Sequence, residues 1–472
     1  MRVTNVMMSN RMLLNINKNM QQLDTLYTQI ASGKKIQVPS DDPIVASRAL
    51  KFRTNLAQTT QYQRNVSQAQ SWMGVTDQSF TNLNDIMNTL YERLNEGATG
   101  TLDFTDKQKV GTEITNLVQQ LGLEMNNTYA GRYVFSGNRT DQPATMTQAT
   151  SDTYTIAQTF SKSDIENTKS YQKLASAPTD PPIVNDVSIL KLAYKNIAAD
   201  PSNPLNSTVT LNPPPASGST VLNKSINDAD AYVVADGDPP HYIQETGELV
   251  LSKQDAAAFA NGTTISYTKT GIAQGELNPV VYFDCTNTTT TKTYTMDDQA
   301  MSYELSVNTL VQINSLAKNV FTDKMYADLN ALVGFINNAQ VSNEQDLTAK
   351  YSAQGLTGTD LSDAVSNQMT QEKNQLQAVM QDRINNMLKS VDGYQSTISK
   401  ENTDLGSRMN RVDLIGNRLD QNEGTYTQLM SDNEDVDVTQ AIMQRNVADA
   451  AYQASLKVGA NIVQLSLANF IQ

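Results

Sequence analysis

One histidine, His241, and one cysteine, Cys285, are all this chain offers for imidazole or thiol chemistry. A single thiol forms no internal disulfide. Two such residues are too few for a zinc or iron site built from Cys and His. His241 follows Pro239-Pro240 in a turn-like stretch and reads as a surface or turn residue. Cys285 follows Tyr282-Phe283 in an expected strand and reads as a space filler, with no Cys/His nucleophile pair in view. Carboxylates gather in two places. Asp41-Asp42-Pro43, just after Pro39, could be taken for an acid or metal site. Asp followed by Pro is also the pattern of a helix N-cap with proline in the first turn, and capping accounts for it. The run from Asp432 to Asp437 is the best calcium candidate, but it lacks the Gly and the closing Glu of an EF-hand loop. It reads as a solvated turn in which Asp437 caps the last helix, with Gln440 at the capping-box position. No phosphate loop, dinucleotide fingerprint, nucleophile elbow or zinc-protease helix occurs. The chain therefore reads as a non-enzyme with no catalytic residue, metal ligand or cofactor assigned.

Long helices must carry the remaining residues. Of the 14 prolines only Pro39 and Pro43 precede Pro143, and none follows Pro279. Proline breaks helix interiors, so the two flanking tracts can be long helices while the middle cannot. Phe52, Leu56, Tyr62, Val66, Ala69, Met73, Phe80, Leu83, Met87, Leu90 and Leu94 keep a three/four rhythm, with Gly97 and Gly100 marking its end. A helix of about fifty residues would be roughly 75 Å long. Trp72 is expected to pack on this stripe. A third helix is expected from Thr105, boxed by Gln108. Ile384 to Leu429 repeats the heptad-like spacing. Between about Pro143 and Met301, short runs such as Thr263–Tyr267 and Thr291–Thr295 alternate with turn signals such as Thr246-Gly247 and Asn261-Gly262, which predicts a β-rich insertion. Residues from Tyr303 to about Ala339 read as mixed and mostly helical.

The fold class is thus mainly α with a β-rich insertion: a long-helix rod with terminal coiled-coil helices and an outer β domain. Three parts are expected: terminal coiled-coil assembly segments at 1–40 plus 436–472, a helical rod at 41–139 plus 303–435, and a β-rich outer domain at 140–302.

The two ends look alike. Leu13, Ile16, Met20, Leu23, Tyr27 and Ile30 line one narrow apolar stripe, and Tyr452, Leu456, Gly459, Val463, Leu467 and Phe470 line another. From Val438 onward the only charges are Arg445, Asp449 and Lys457. A stripe this narrow makes no core alone, so each end needs the other end or a neighbouring molecule. Both ends are expected to be disordered in the free monomer and to order on assembly. Limited proteolysis should then remove about forty residues from each end.

The formal charge is -14. Nucleic acid and anionic membrane surfaces both call for clustered Lys and Arg, so neither is an expected partner. No stretch is long and apolar enough to insert in a bilayer, and no cleavable signal peptide is read at the N-terminus.

Several separated motifs resemble one family. Met1-Arg2-Val3-Thr4-Asn5 through Asn10, Ser32-Gly33-Lys34-Lys35-Ile36, Pro39 to Pro43, Gln61 to Val66 with Ala69 to Trp72, Gly131 to Gly137, Ala451 to Leu456 and Leu465-Ser466-Leu467 stand in the order found in the flagellar hook-associated protein 3 family, relatives of flagellin. The resemblance covers roughly 1–140 and 370–472. It implies an extracellular structural protein of the bacterial flagellum, exported by the flagellar type III route without signal cleavage. It implies a self-associated ring at the hook–filament junction, with hook-associated protein 1 on the hook side and flagellin on the filament side. Exposed apolar ends invite aggregation, so an export chaperone at the C-terminal end is expected. The alternatives are flagellin itself, or an exported enzyme or binding module that carries its function in the β domain on a flagellin-type scaffold.

Overall fold

The computed structural model describes residues 5–100, 102–171, 184–296 and 299–468, with side chains described within 7–460. Among the described residues seven helices reach two turns or more: α1 Asn5–Ser32, α2 Pro43–Ala98, α3 Phe104–Glu124, α4 Asp323–Asn338, α5 Glu344–Ala353, α6 Gly358–Glu434 and α7 Val438–Ala468. Helices α2 and α6 are 56 and 77 residues long. Each falls in a proline-poor tract, with the single proline of α2 at its first position.

Local signals set the helix starts. Asp42 accepts hydrogen bonds from the Ile44 and Val45 amides at 2.9 and 3.1 Å, so it caps α2 as expected. Asp437 accepts from the Gln440 amide at 3.0 Å and caps α7. Helix α3 is capped by Asp103, whose carboxylate takes the Asp106 amide, rather than by Thr105. The competing Asp lies two residues upstream and wins the cap. Helix α6 starts well before Ile384 and runs through Asp432 to Glu434, so the acidic turn is shorter than the run of acids suggests.

The described residues form two compact units. The first comprises Met1–Ser67, Glu304–Thr309 and Asp413–Gln472; the second comprises Gln68–Tyr303 and Leu310–Val412. In the second unit α2 presents Met73, Phe80, Leu83, Met87, Leu90 and Leu94, all at most 1% exposed, to the core. Trp72 is buried and meets Tyr129 edge-on with 6.0 Å between ring centroids. The end of α2 is capped from other helices: Lys107 Nζ donates to Gly97 O at 3.0 Å, and Gln381 Nε2 to Ala98 O at 2.9 Å.

The β-rich stretch makes two larger sheets. In the seven-stranded sheet the order is Glu166–Tyr171, Val184–Lys191, Glu248–Leu251, His241–Ile243, Leu222–Lys224, Asn203–Ser207 and Ala199–Asp200. In the five-stranded sheet it is Lys292–Tyr294, Asp284–Asn287, Thr150–Phe160, Thr263–Ile272 and Thr210–Asn212. Both Gly247 and Gly262 take positive φ, +75° and +84°, at the turns expected there. One core joins sheet to helices: Val187, Ile189, Ile243 and Val250 pack with Phe335 of α4 and Leu376, Val379 and Met380 of α6.

Two of these local expectations need correction and one holds. His241 is not a surface residue: it is 5% exposed in a strand, and its Nδ1 lies 3.0 Å from Ala231 O. Burial lowers its pKa, so the neutral ring is favoured. Residues Ser302–Ser306 and Thr309–Gln312 form a hairpin before the helical stretch begins. Cys285 is buried in a strand, as read.

Candidate assembly interface

The first unit brings the chain ends together. Helices α1 and α7 run antiparallel, since Asn19 Nδ2 donates to Ser455 Oγ at 2.9 Å while Lys34 reaches Asp435 at 2.6 Å. The seam is made of Leu23 and Leu26 from α1 and Ala448 and Tyr452 from α7. Further along, Gly459 sits against Met12 and Ile16. On α7 the residues turned inward are Ala441, Arg445, Ala448, Tyr452, Ser455 and Gly459, at alternating steps of four and three. Small residues let the two backbones approach closely: a Cβ added at Gly459 would stand 2.1 Å from Met12 Cε.

The stripe residues therefore divide. Leu23 is buried, and Ile16, Ile30 and Tyr452 are half-buried. Leu13, Met20, Tyr27 and Leu456 stay 56, 56, 52 and 44% exposed. Leu13, Met20 and Tyr27 follow one another at heptad spacing and flank the seam. In an antiparallel pair, flanks of like sense lie on one side, and the Arg445 guanidinium, 5.4 Å from the Tyr27 ring centroid, marks where they meet. Ile442 and Val438, 40 and 46% exposed, fall on the same flank as Leu456. The hairpin thus closes one stripe internally and leaves a second apolar flank open. Val463 and Leu467 belong to α7, but their side chains, like all of Phe470, lie outside the described residues.

A charged clasp closes the base of this hairpin, and the sequence reading missed it. Arg53 Nε and Nη2 donate to the two carboxylate oxygens of Glu434 at 2.9 and 2.6 Å. Lys34 Nζ stands 2.6 Å from Asp435 and 3.4 Å from Glu434. Backbone bonds reinforce the contact: Lys35 N donates to Glu434 O at 2.7 Å, and Val436 N to Gly33 O at 2.9 Å. Hydrogen bonding from Arg53 lowers the Glu434 pKa, and Lys34 lowers that of Asp435. Asp41 accepts the Gln37 and Val38 amides, closing the turn that carries exposed Pro39 into α2. Two lysines at one end and a run of acids at the other were the available signal; nothing in a linear reading said that they meet. These partners engage Glu434 and Asp435 of the acidic run. Among the described residues no group of three or more His, Cys, Asp or Glu side chains could hold a metal ion.

Residues 3–140 match the family model described as the bacterial flagellin N-terminal helical region. The flagellar hook-associated protein 3 of Salmonella typhimurium is 29% identical over 142 residues, 30% of this chain and 45% of that protein. This chain resembles flagellar hook-associated protein 3. The Escherichia coli protein of the same name is 29% identical over 143 residues, again 30% of this chain and 45% of its own length. The chain thus spans less than half the length of these hook-associated relatives. Solved structures described as a flagellar hook-associated protein from Vibrio parahaemolyticus and a flagellar junction protein from Legionella pneumophila cover 84 and 83% of this chain and 100% of their own. Their identities are 10 and 12% and their TM-scores 0.39 and 0.29, values that decide nothing about this chain.

Proposed function

We propose that this chain is a structural subunit of the bacterial flagellum that joins hook to filament, meeting hook-associated protein 1 below and flagellin above. The open apolar flank of Leu13, Met20, Tyr27 and Leu456 carries this reading. Exposed apolar residues in one continuous flank mark an interaction surface, and an antiparallel pair that buries so little of itself gains most by stacking against further copies. Subunits would add head to tail, as a heterologous contact allows and an isologous dimer does not. The terminal segments 1–40 and 436–472 would supply this contact, 41–139 with 303–435 the rod, and 140–302 the outward-facing part. The ends would order fully only on assembly, with a chaperone covering the C-terminal end before export through the flagellar type III route. Likeness to hook-associated protein 3 over 142 residues favours the junction over the filament itself.

A deletion strain tests this. Loss of a junction protein leaves hooks in place and sends flagellin into the medium. Intact filaments in that strain would overturn the proposal, and a subunit present in filament-scale copy number would make it flagellin.

A further inference from the structure

The second unit holds a cluster of buried charge that the assembly reading does not use. Arg383 of α6, 7% exposed, donates through Nη1 to Glu248, which is fully buried. Tyr232 donates to the same carboxylate at 2.6 Å. Lys191 pairs with Glu166 and lies 3.1 Å from Asp328, which also takes the hydroxyl of Tyr394. The guanidinium of Arg383 lies over the Phe335 ring, 4.0 Å from its centroid.

Three polar atoms here are left over. Arg383 Nε, Arg383 Nη2 and Thr168 Oγ1 are buried without a hydrogen-bond partner among the described residues. Both residues line one cavity of about 20 Å³, together with Glu166, Lys191, Glu248 and Asp328. Buried polar atoms without a partner are rare and destabilising, so three at one place call for an explanation.

The cavity selects its occupant by size and charge. A cavity of roughly 10–15 Å³ holds one water, so this one takes a single small species. The orphaned guanidinium donors need an acceptor and would repel a cation. The three carboxylates outnumber the two basic groups and would repel an anion. What remains is small, neutral and able both to accept and to donate. We infer that one internal water occupies this cavity, accepting from Arg383, contacting Thr168 Oγ1 and donating to a neighbouring carboxylate. It ties the strand Glu166–Tyr171 to α6 inside the second unit and completes the solvation of a buried ion network. Such a site holds its water far longer than surface hydration does.

Two measurements on the full chain test this. A high-resolution crystal structure should show one density peak within about 3.2 Å of Arg383 Nε or Nη2 and of Thr168 Oγ1. No density there overturns the inference. So does an anomalous peak at the cavity in crystals grown with bromide or with rubidium, since either would make the site ionic. In solution, oxygen-17 relaxation dispersion should count one long-lived water fewer in Thr168→Val than in the parent. An unchanged count in a folded variant would likewise overturn it, and the crystallographic arm stands if the variant does not fold.

Discussion

Arg53 grips Glu434 fork to fork across 381 residues of sequence, with both carboxylate oxygens engaged. Only 3% of the Glu434 side chain is exposed, whereas Arg53 is 60% exposed. The pair is therefore half in water, and its net worth is set by how much solvent still screens the arginine. Glu434→Gln keeps the shape and one acceptor but removes the charge. It should loosen the base of the α1/α7 hairpin by about 1–2 kcal/mol, read as faster amide exchange in both helices. Exchange unchanged from the parent would show the clasp to be ornamental.

The same clasp has a pH window. Glu434 and Asp435 have pKa values lowered on folding, so their contribution is present above the unfolded carboxylate pKa, about 4.3 and 3.9. It is lost as pH falls through the folded values. Lys34 is raised by its bond to Asp435, so its share persists at neutral pH and fades only as pH climbs past the folded lysine value. Protection of α1 and α7 should drop below about pH 4, earlier than in Glu434→Gln relative to its own baseline. Added salt should weaken it too, because Arg53 and Lys34 are exposed.

Flank and seam should separate by mutation. Leu13→Glu with Met20→Glu alters exposed residues, so the hairpin in the monomer should keep its exchange pattern while co-sedimentation into assemblies is lost. Leu23→Ala with Leu26→Ala should do the reverse in order of cause, loosening the hairpin first by about 2–5 kcal/mol in sum if the seam collapses partway. A flank variant that still assembles removes these residues from the interface.

Gly459→Ala should strain the hairpin. Its Cβ would collide with Met12 Cε, the mobile end of a flexible side chain, so the cost is about 1–2 kcal/mol rather than unfolding. Adding Met12→Ala should restore most of the loss. Gly406→Ala on α6 meets nothing within 4 Å and should stabilise slightly, as a helical control.

Cys285 should resist alkylation in the native state. It is 4% exposed, and burial pushes its thiol up to about 12, so almost no thiolate exists at neutral pH. Iodoacetamide should label it at the rate of unfolding of the second unit; labelling at the rate of a free thiol would mean that the strand opens locally.

Much of this protein was legible in order of residues alone. The proline map separated helix from sheet because proline acts locally, wherever it stands. Asp42 and Asp437 announced their helices because a cap is satisfied within three residues. The apolar rhythm of α2 survived into the core because a helix repeats its face at fixed steps. Other features depended on what meets what. Polar Asn19 faces Ser455, while apolar Met20 beside it faces outward. Ile16, Leu23 and Ile30 of the stripe turn inward, but in place of Leu13, Met20 and Tyr27 the seam takes Met12, Asn19 and Leu26, since a helix cannot reveal which flank its partner covers. Arg53 and Glu434, Lys34 and Asp435, and the ion network around Arg383 carry no local signal at all. Charge in sequence is ambiguous between solvated surface and buried pair, and only the packed chain, by removing water from one side, decides between them.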